Sequence, residues 1–164
     1  MLTLMWDASA LVKHYIEENG TDTVEALFEH PGPIRMALTI PGYAETYSVL
    51  LRRCNAGVIS GHSFEEAIAA LRNESLFNLR MDLVSVGDGL VFASIETMRR
   101  HNLNSTDAAI LTAFAVYVRE YSEHTALLIA SDQRLIRAAE AEGLATLNPE
   151  SVSPDEARAM LARE

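Results

Sequence analysis

The chain has 164 residues, 49% of them apolar and 22% charged, a balance that belongs to one folded domain with a real core and excludes global disorder. Thirteen Lys and Arg against 23 Asp and Glu leave a net charge of −10, which argues against holding nucleic acid by coating its phosphates with cations. A single cysteine, Cys54, excludes an internal disulfide and a multi-thiolate zinc centre. The only lysine, Lys13, stands between Val12 and His14, so no phosphate loop ending in Gly-Lys-Ser/Thr is present. The longest apolar uncharged stretch, Ala108 to Val118, is far short of the ~20 residues of a membrane span. The start of the chain has neither a basic region nor a small-residue cleavage site, so it is expected to begin at Met1 and to work in a reducing cytoplasm.

Leu2 to Trp6 is an apolar run that reads as a strand ending at Asp7. From Ser9 the spacing of Ala10, Leu11 and Ile16, with Lys13, Glu17 and Glu18 opposite, predicts an amphipathic helix stopped by Gly20. Asp22 followed by Glu25 predicts the capped start of a second helix, closed by Pro31, Gly32 and Pro33. Ile34 to Thr39 reads as the second strand. Pro41 then fits the first turn of a helix that carries Glu45 and runs to about Asn55. Another helix starts at Ser63, with Glu66 as its capping partner, and reaches about Glu74. Leu79 to Val86 reads as a third strand, after which Asp88 caps a helix reaching His101. Ser105 or Thr106 caps the next helix, which is apolar nearly all round from Ala108 to Val118 and is therefore expected to be central and buried. Ala126 to Ala130 is a short apolar strand, followed by a helix from about Asp132 to Glu142, a weak strand at Leu144 to Leu147, and a terminal helix opened by Ser153, Pro154 and Glu156. Non-alternating strands separated by helices predict a parallel sheet covered on both faces.

Sites in such a sheet form beyond the carboxyl ends of the strands, where loops and helix starts converge. Asp7 follows the first strand directly, and Asp132 follows the fourth with Ser131 between. Glu45 and Asp107 lie near helix starts that can point to the same edge. Taken singly, each reads as a helix cap or a dipole partner worth ~0.5–1 kcal/mol. Convergence is what separates the two readings. Carboxylates crowded together repel and raise one another's pKa unless a divalent ion sits among them, and an all-oxygen set calls for Mg²⁺ or Mn²⁺ over zinc.

Four segments together carry a family resemblance. They are Asp7-Ala8-Ser9-Ala10-Leu11-Val12-Lys13-His14-Tyr15, Ala44-Glu45 near the head of a helix, Thr106-Asp107-Ala108, and Ala130-Ser131-Asp132-Gln133-Arg134-Leu135 ahead of Ala138 to Leu144. In order and spacing the chain resembles PIN-domain proteins of the VapC toxin type, along nearly its whole length. The resemblance implies a three-layer α/β/α fold with a central, mainly parallel sheet over residues 1–148, with 149–164 as a helical extension packed on the same domain. It further implies a ribonuclease, usually homodimeric, in which Asp7, Glu45, Asp107 and Asp132 surround one or two Mg²⁺ or Mn²⁺ ions. Ser9 and Thr106 would stand beside them as polar support. The family commonly carries Thr or Ser two positions before its last Asp; here that position is Ala130, with Ser131 adjacent instead. A cognate antitoxin that obstructs the site is also implied.

Other features compete with this reading. Gly87-Asp88-Gly89-Leu90-Val91-Phe92 follows a strand and opens a helix, with Asp107 near the spacing of a dinucleotide-binding carboxylate, but Phe92 stands where that fold needs a small residue. A non-catalytic module that keeps the fold without metal is the alternative from another class. His14, His30, His62, His101 and His124 form no metal-binding helical pair and are expected to be structural or exposed. Lys13 and Arg134 are candidate RNA contacts, as are Arg52, Arg53, Arg99, Arg100 and Arg137; solvated helix surface is the competing reading for each.

Overall fold

The computed structural model describes residues 2–121 and 125–162; His124 lies outside them. Five parallel strands, β1 (Leu2–Trp6), β2 (Arg35–Thr39), β3 (Met81–Val84), β4 (Thr125–Ile129) and β5 (Ala145–Leu147), form one sheet in the order β3-β2-β1-β4-β5. β1 is therefore central, and it is buried along its whole length, which is why its sequence shows no polar alternation. Register is set residue by residue: Trp6 lies against Leu38 of β2 and Ile129 of β4.

Alternate side chains feed two cores. Leu4, Trp6, Met36, Leu38, Leu127 and Ile129 pack on one face. The helices there are α1 (Ala8–Tyr15), α2 (Thr21–Phe28), α3 (Ile40–Asn55), α4 (Gly61–Phe77) and α8 (Pro154–Leu161). Met5, Ala37 and Leu128 pack on the other face, against α6 (Ser105–Glu120) and α7 (Gln133–Ala141), with α5 (Asp88–His101) laid over α6. This is the three-layer arrangement the sequence predicts, and α6 is the central helix expected, with Ala108, Ile110, Leu111 and Phe114 all buried.

Several helix starts differ from expectation by one to three residues. Ser60, not Ser63, caps α4, accepting from the Ser63 amide at 3.0 Å. Asn104, not Ser105 or Thr106, caps α6. Glycines Gly20 and Gly87 precede α2 and α5, with no side-chain cap. Gly20 has φ +91°, and a Cβ there would lie 2.8 Å from the Pro149 backbone, so only glycine allows this close approach. The segment after β5 is tied to the body at that point: Thr23 Oγ1 donates to Val152 O at 2.8 Å, and Ala157 and Leu161 of α8 sit in the first core. Ser153 and Glu156 form the capping box read from the sequence. Among the described residues no helix is long and apolar enough to cross a membrane.

Candidate functional site

The strand order turns at the centre of the sheet: β2 and β3 extend to one side of β1, and β4 and β5 to the other. Loops leaving β1 and β4 diverge there and open a crevice at the carboxyl edge. Asp7 leaves β1 at this edge, its amide donating to Ile129 O of β4 at 3.0 Å. Asp132 comes off β4 after Ala130 and Ser131. One hydroxyl joins the two strand ends. Ser9 Oγ donates to Asp7 Oδ2 at 2.5 Å and accepts from the amides of Ser131 and Asp132 at 2.9 and 3.2 Å. The Ser9 amide also donates to Asp7 Oδ2 at 2.9 Å, making Asp7 the cap of α1. Asp132 caps α7 through Oδ1, which accepts from the Arg134 and Leu135 amides at 2.7 and 3.3 Å.

Two further carboxylates arrive on helices. Asp107 sits in the first turn of α6; Asn104 Oδ1 accepts its amide at 2.9 Å, and Asn104 Nδ2 donates to Asp107 Oδ2 at 2.7 Å. Glu45 lies in the second turn of α3, whose start is set by buried Thr39 accepting from the Gly42 amide at 3.0 Å. A Cβ on Gly42 would fall 2.9 Å from that Thr39 oxygen, so glycine lets this turn close. Sequence reading missed both Asn104 and Thr39. The signals were present: Asn-x-x-Asp is a capping pattern, and Thr precedes Ile-Pro at a helix start.

Asp7, Glu45 and Asp107 respond to burial and to the neighbouring acidic charges. Burial pushes Asp7 above the usual carboxylate range; the bonds from Ser9 oppose this and the Asp132 charge adds to it. Burial, then the charges of Asp7, Asp107 and Asp132, push Glu45 up to about 6, against the pull of Arg52. Burial and the charges of Asp7 and Asp132 likewise push Asp107 up to about 6, with Arg134 and the Asn104 bond pulling down. Among the described residues no three His, Cys, Asp or Glu side chains are drawn close enough to hold a metal ion as they stand. In kind, however, the donors fit a hard divalent ion: every one is a carboxylate. Glu45 Oε2 is also buried without a hydrogen-bond partner among the described residues, which is costly for such an oxygen unless a proton or a cation meets it.

The supporting groups divide. Ser9 touches the site as just described. Thr106 is exposed at the second position of α6. Ala130 is fully buried and offers no hydroxyl, while Ser131 Oγ is buried with no partner among the described residues. Lys13 corrects the expectation of a surface residue near phosphate. It is 3% exposed, its Nζ held by Glu150 Oε1 at 2.7 Å and Glu18 Oε2 at 3.5 Å, so its charge ties α1 to the segment after β5. Arg134 is exposed in the first turn of α7, close enough for its charge to act on Asp107. The glycine motif at 87–89 has no dinucleotide geometry: a Cβ at Gly87 or Gly89 would meet nothing within 4 Å, Phe92 is 73% exposed, and Asp107 opens a helix instead of ending a strand.

Known proteins agree with this architecture. No curated protein is significantly similar in sequence. Among solved structures, the toxin VapC20 of Mycobacterium tuberculosis, described as cleaving the sarcin-ricin loop, superposes with a TM-score of 0.60 at 22% identity, over 82% of this chain and 94% of its own. FitAcB of Neisseria gonorrhoeae gives 0.60 at 13% identity, over 91% and 99%. A toxin-antitoxin complex from Klebsiella pneumoniae gives 0.55 at 14% identity, over 89% and 97%. At these identities the likeness shows the fold. The sequence itself matches the family model of the PIN domain over residues 4–141, a span that begins in β1 and ends with α7 and so takes in all four carboxylates, and the chain belongs to the PIN domain family.

Proposed function

We propose that this chain is a ribonuclease dependent on Mg²⁺ or Mn²⁺ and the toxin of a toxin-antitoxin pair. The observation that carries the reading is the gathering of Asp7, Glu45, Asp107 and Asp132 at the switch point of the sheet, with a buried Glu45 oxygen left unpartnered. When bound, one or two such ions supply a water of lowered pKa and positive charge for the anionic transition state of phosphodiester hydrolysis. The chain's own residues place that chemistry. Asp7 and Asp132 hold their positions through the shared Ser9 hydroxyl, Asp107 through Asn104, and Glu45 through the helix start that Thr39 fixes. Thr106 and Ser131 stand beside them as polar support. The fold is that of VapC20 and of a toxin-antitoxin complex, which supports RNA as substrate and an antitoxin as partner; a homodimeric state and action in the cytoplasm complete the proposal.

Cleavage of RNA is to be followed in Mn²⁺, in Mg²⁺ and in chelator, and repeated on Asp7→Asn. The expected result is activity with metal only, lowered about 100-fold or more in the variant; equal cleavage in all conditions removes the nuclease reading. Expression with the product of a small reading frame beside its gene tests the antitoxin, which is expected to co-purify and to suppress cleavage; failure to do either counts against that partner.

A further inference from the structure

Several cations of this acidic chain are spent internally. Lys13 is bound to Glu150 and Glu18, Arg35 to Asp82, Arg53 to Glu18, Arg100 to Glu96 and Glu142, and Arg158 to Asp155. Arg52, Arg72, Arg80, Arg99 and Arg119 enter no ion pair among the described residues, but Arg134 and Arg137 are the unpaired arginines that follow a site carboxylate, Asp132, the cap of their helix. Both are exposed on α7, neither enters an ion pair among the described residues, and their three-residue spacing puts them on one face of the helix. They line a cleft of about 210 Å³ with His101, Asn102 and Ala138. Its opposite wall is the end of α5, where Asn102 takes a left-handed conformation with φ 54° and turns the chain toward Asn104 and α6. Glu142, at the far end of α7, accepts from Arg100 at 2.7 Å and meets His101 Nε2 at 2.6 Å, and so fixes the imidazole at the rim.

This cleft borders the carboxylate site on the side of Asp107 and Asp132: the turn after Asn102 leads into the helix that carries Asp107, and Arg134 follows Asp132 by two residues. In a molecule of net charge −10, two unspent guanidiniums flanking four carboxylates answer the electrostatic problem of bringing a polyanion to an acidic pocket. We propose that the His101–Arg134–Arg137 cleft is a backbone clamp that binds the phosphate next to the one being cleaved in a single-stranded RNA. The proposal rests on the ribonuclease reading. Guanidiniums suit phosphate through paired N–H donors, and contacts of this kind position a strand without reading its sequence.

The test is fluorescence anisotropy of a 2′-O-methyl oligonucleotide, its integrity checked by gel after each titration, on the full chain in Mn²⁺ across a salt series. Arg134→Ala/Arg137→Ala is compared with wild type, with Arg137→Gln alone, and with Arg158→Ala on the opposite layer, an exposed arginine already paired with Asp155, as a control. The clamp predicts a Kd raised about tenfold or more in the double variant, a smaller rise in Arg137→Gln, and none in Arg158→Ala. The slope of log affinity against log salt falls by about 0.7, for the one single-strand phosphate that is no longer neutralised. In cleavage assays KM rises while kcat is largely kept. Thermal stabilisation by Mn²⁺ is retained in every variant, because no carboxylate is altered. If wild type binds and cleaves and the double variant matches it in affinity and slope, the clamp is wrong and the nuclease reading stands. A wild-type chain that neither binds the oligonucleotide nor cleaves RNA removes both.

Discussion

Ser9 is the residue on which the geometry of the site turns, because its hydroxyl is shared between Asp7 and the two amides that lead to Asp132. Ser9→Ala leaves Asp7 Oδ2 with only the Ser9 amide as donor and takes the side-chain acceptor from the Ser131 and Asp132 amides, so urea unfolding is expected to show a loss of about 1–3 kcal/mol, accompanied by weaker binding of Mn²⁺. Glu45 and Asp107 make the opposite prediction for stability. Both carboxyls sit at about 6 in the folded chain, above their ordinary values, so the folded state takes up protons that the unfolded state does not bind between about pH 6 and 4. The metal-free chain therefore gains stability as pH falls through that window and is burdened by these charges at pH 7.5. Asp107→Asn or Glu45→Gln is expected to raise the metal-free Tm at pH 7.5, to flatten its pH dependence, and to abolish stabilisation by Mn²⁺. A Tm lowered at pH 7.5 by both substitutions would show that the carboxylates serve the fold and not a cation. All four acidic residues are legible in the sequence as candidates because Asp7 and Asp132 follow strands while Glu45 and Asp107 lie near helix starts. The burial of Lys13 was not, since its partner Glu150 lies 137 residues away and no local pattern announces that pairing.

Elements were read more reliably than their edges. Every strand and helix expected from the sequence is present, because burial on both faces of the sheet writes continuous apolar runs such as Leu2–Trp6, and helix packing writes the stripe on α6. The starts of α4 and α6 were displaced because Ser60 and Ser63, or Asn104, Ser105 and Thr106, are all competent caps; packing of the helix against the sheet selects among them. Asn104→Ala is accordingly expected to cost about 1 kcal/mol, and also to push the Asp107 carboxyl further up. α6 carries the second core, so Phe114→Ala, a fully buried ring, is expected to cost about 3–5 kcal/mol. Between α1, α2 and α4 the tie is His14, whose Nδ1 meets Glu25 at 2.7 Å and whose Nε2 meets Glu74 at 3.2 Å while its ring stacks on Phe28. Burial alone would lower its pKa, but the Glu74 and Glu25 carboxylates outweigh burial and raise it. This contribution is complete below the unfolded value near 6.5 and is lost as pH rises through the folded one. His14→Gln is thus expected to remove the part of the stability loss that wild type shows on passing above neutrality, measured by urea unfolding at pH 6 and pH 8.

At the scale of the whole molecule, charge and topology act together. A sheet whose order reverses between β1 and β4 brings residues 125 positions apart in sequence, Asp7 and Asp132, to one crevice, and no local window of the sequence contains that fact; only the alternation of strands and helices implies it. The same assembly makes the crevice strongly negative, which is unfavourable for the fold at neutral pH and for any polyanion unless positive charge enters. On the proposed function a divalent ion is that charge. Calorimetric titration of Mn²⁺ into the chain at pH 6, in two buffers of different ionisation enthalpy, tests it most directly. Saturable binding is predicted, with release of on the order of one proton as the half-protonated Glu45 and Asp107 ionise, and with both signals lost in Asp7→Asn. Absence of saturable binding, or the same binding and proton release in Asp7→Asn, would contradict the account.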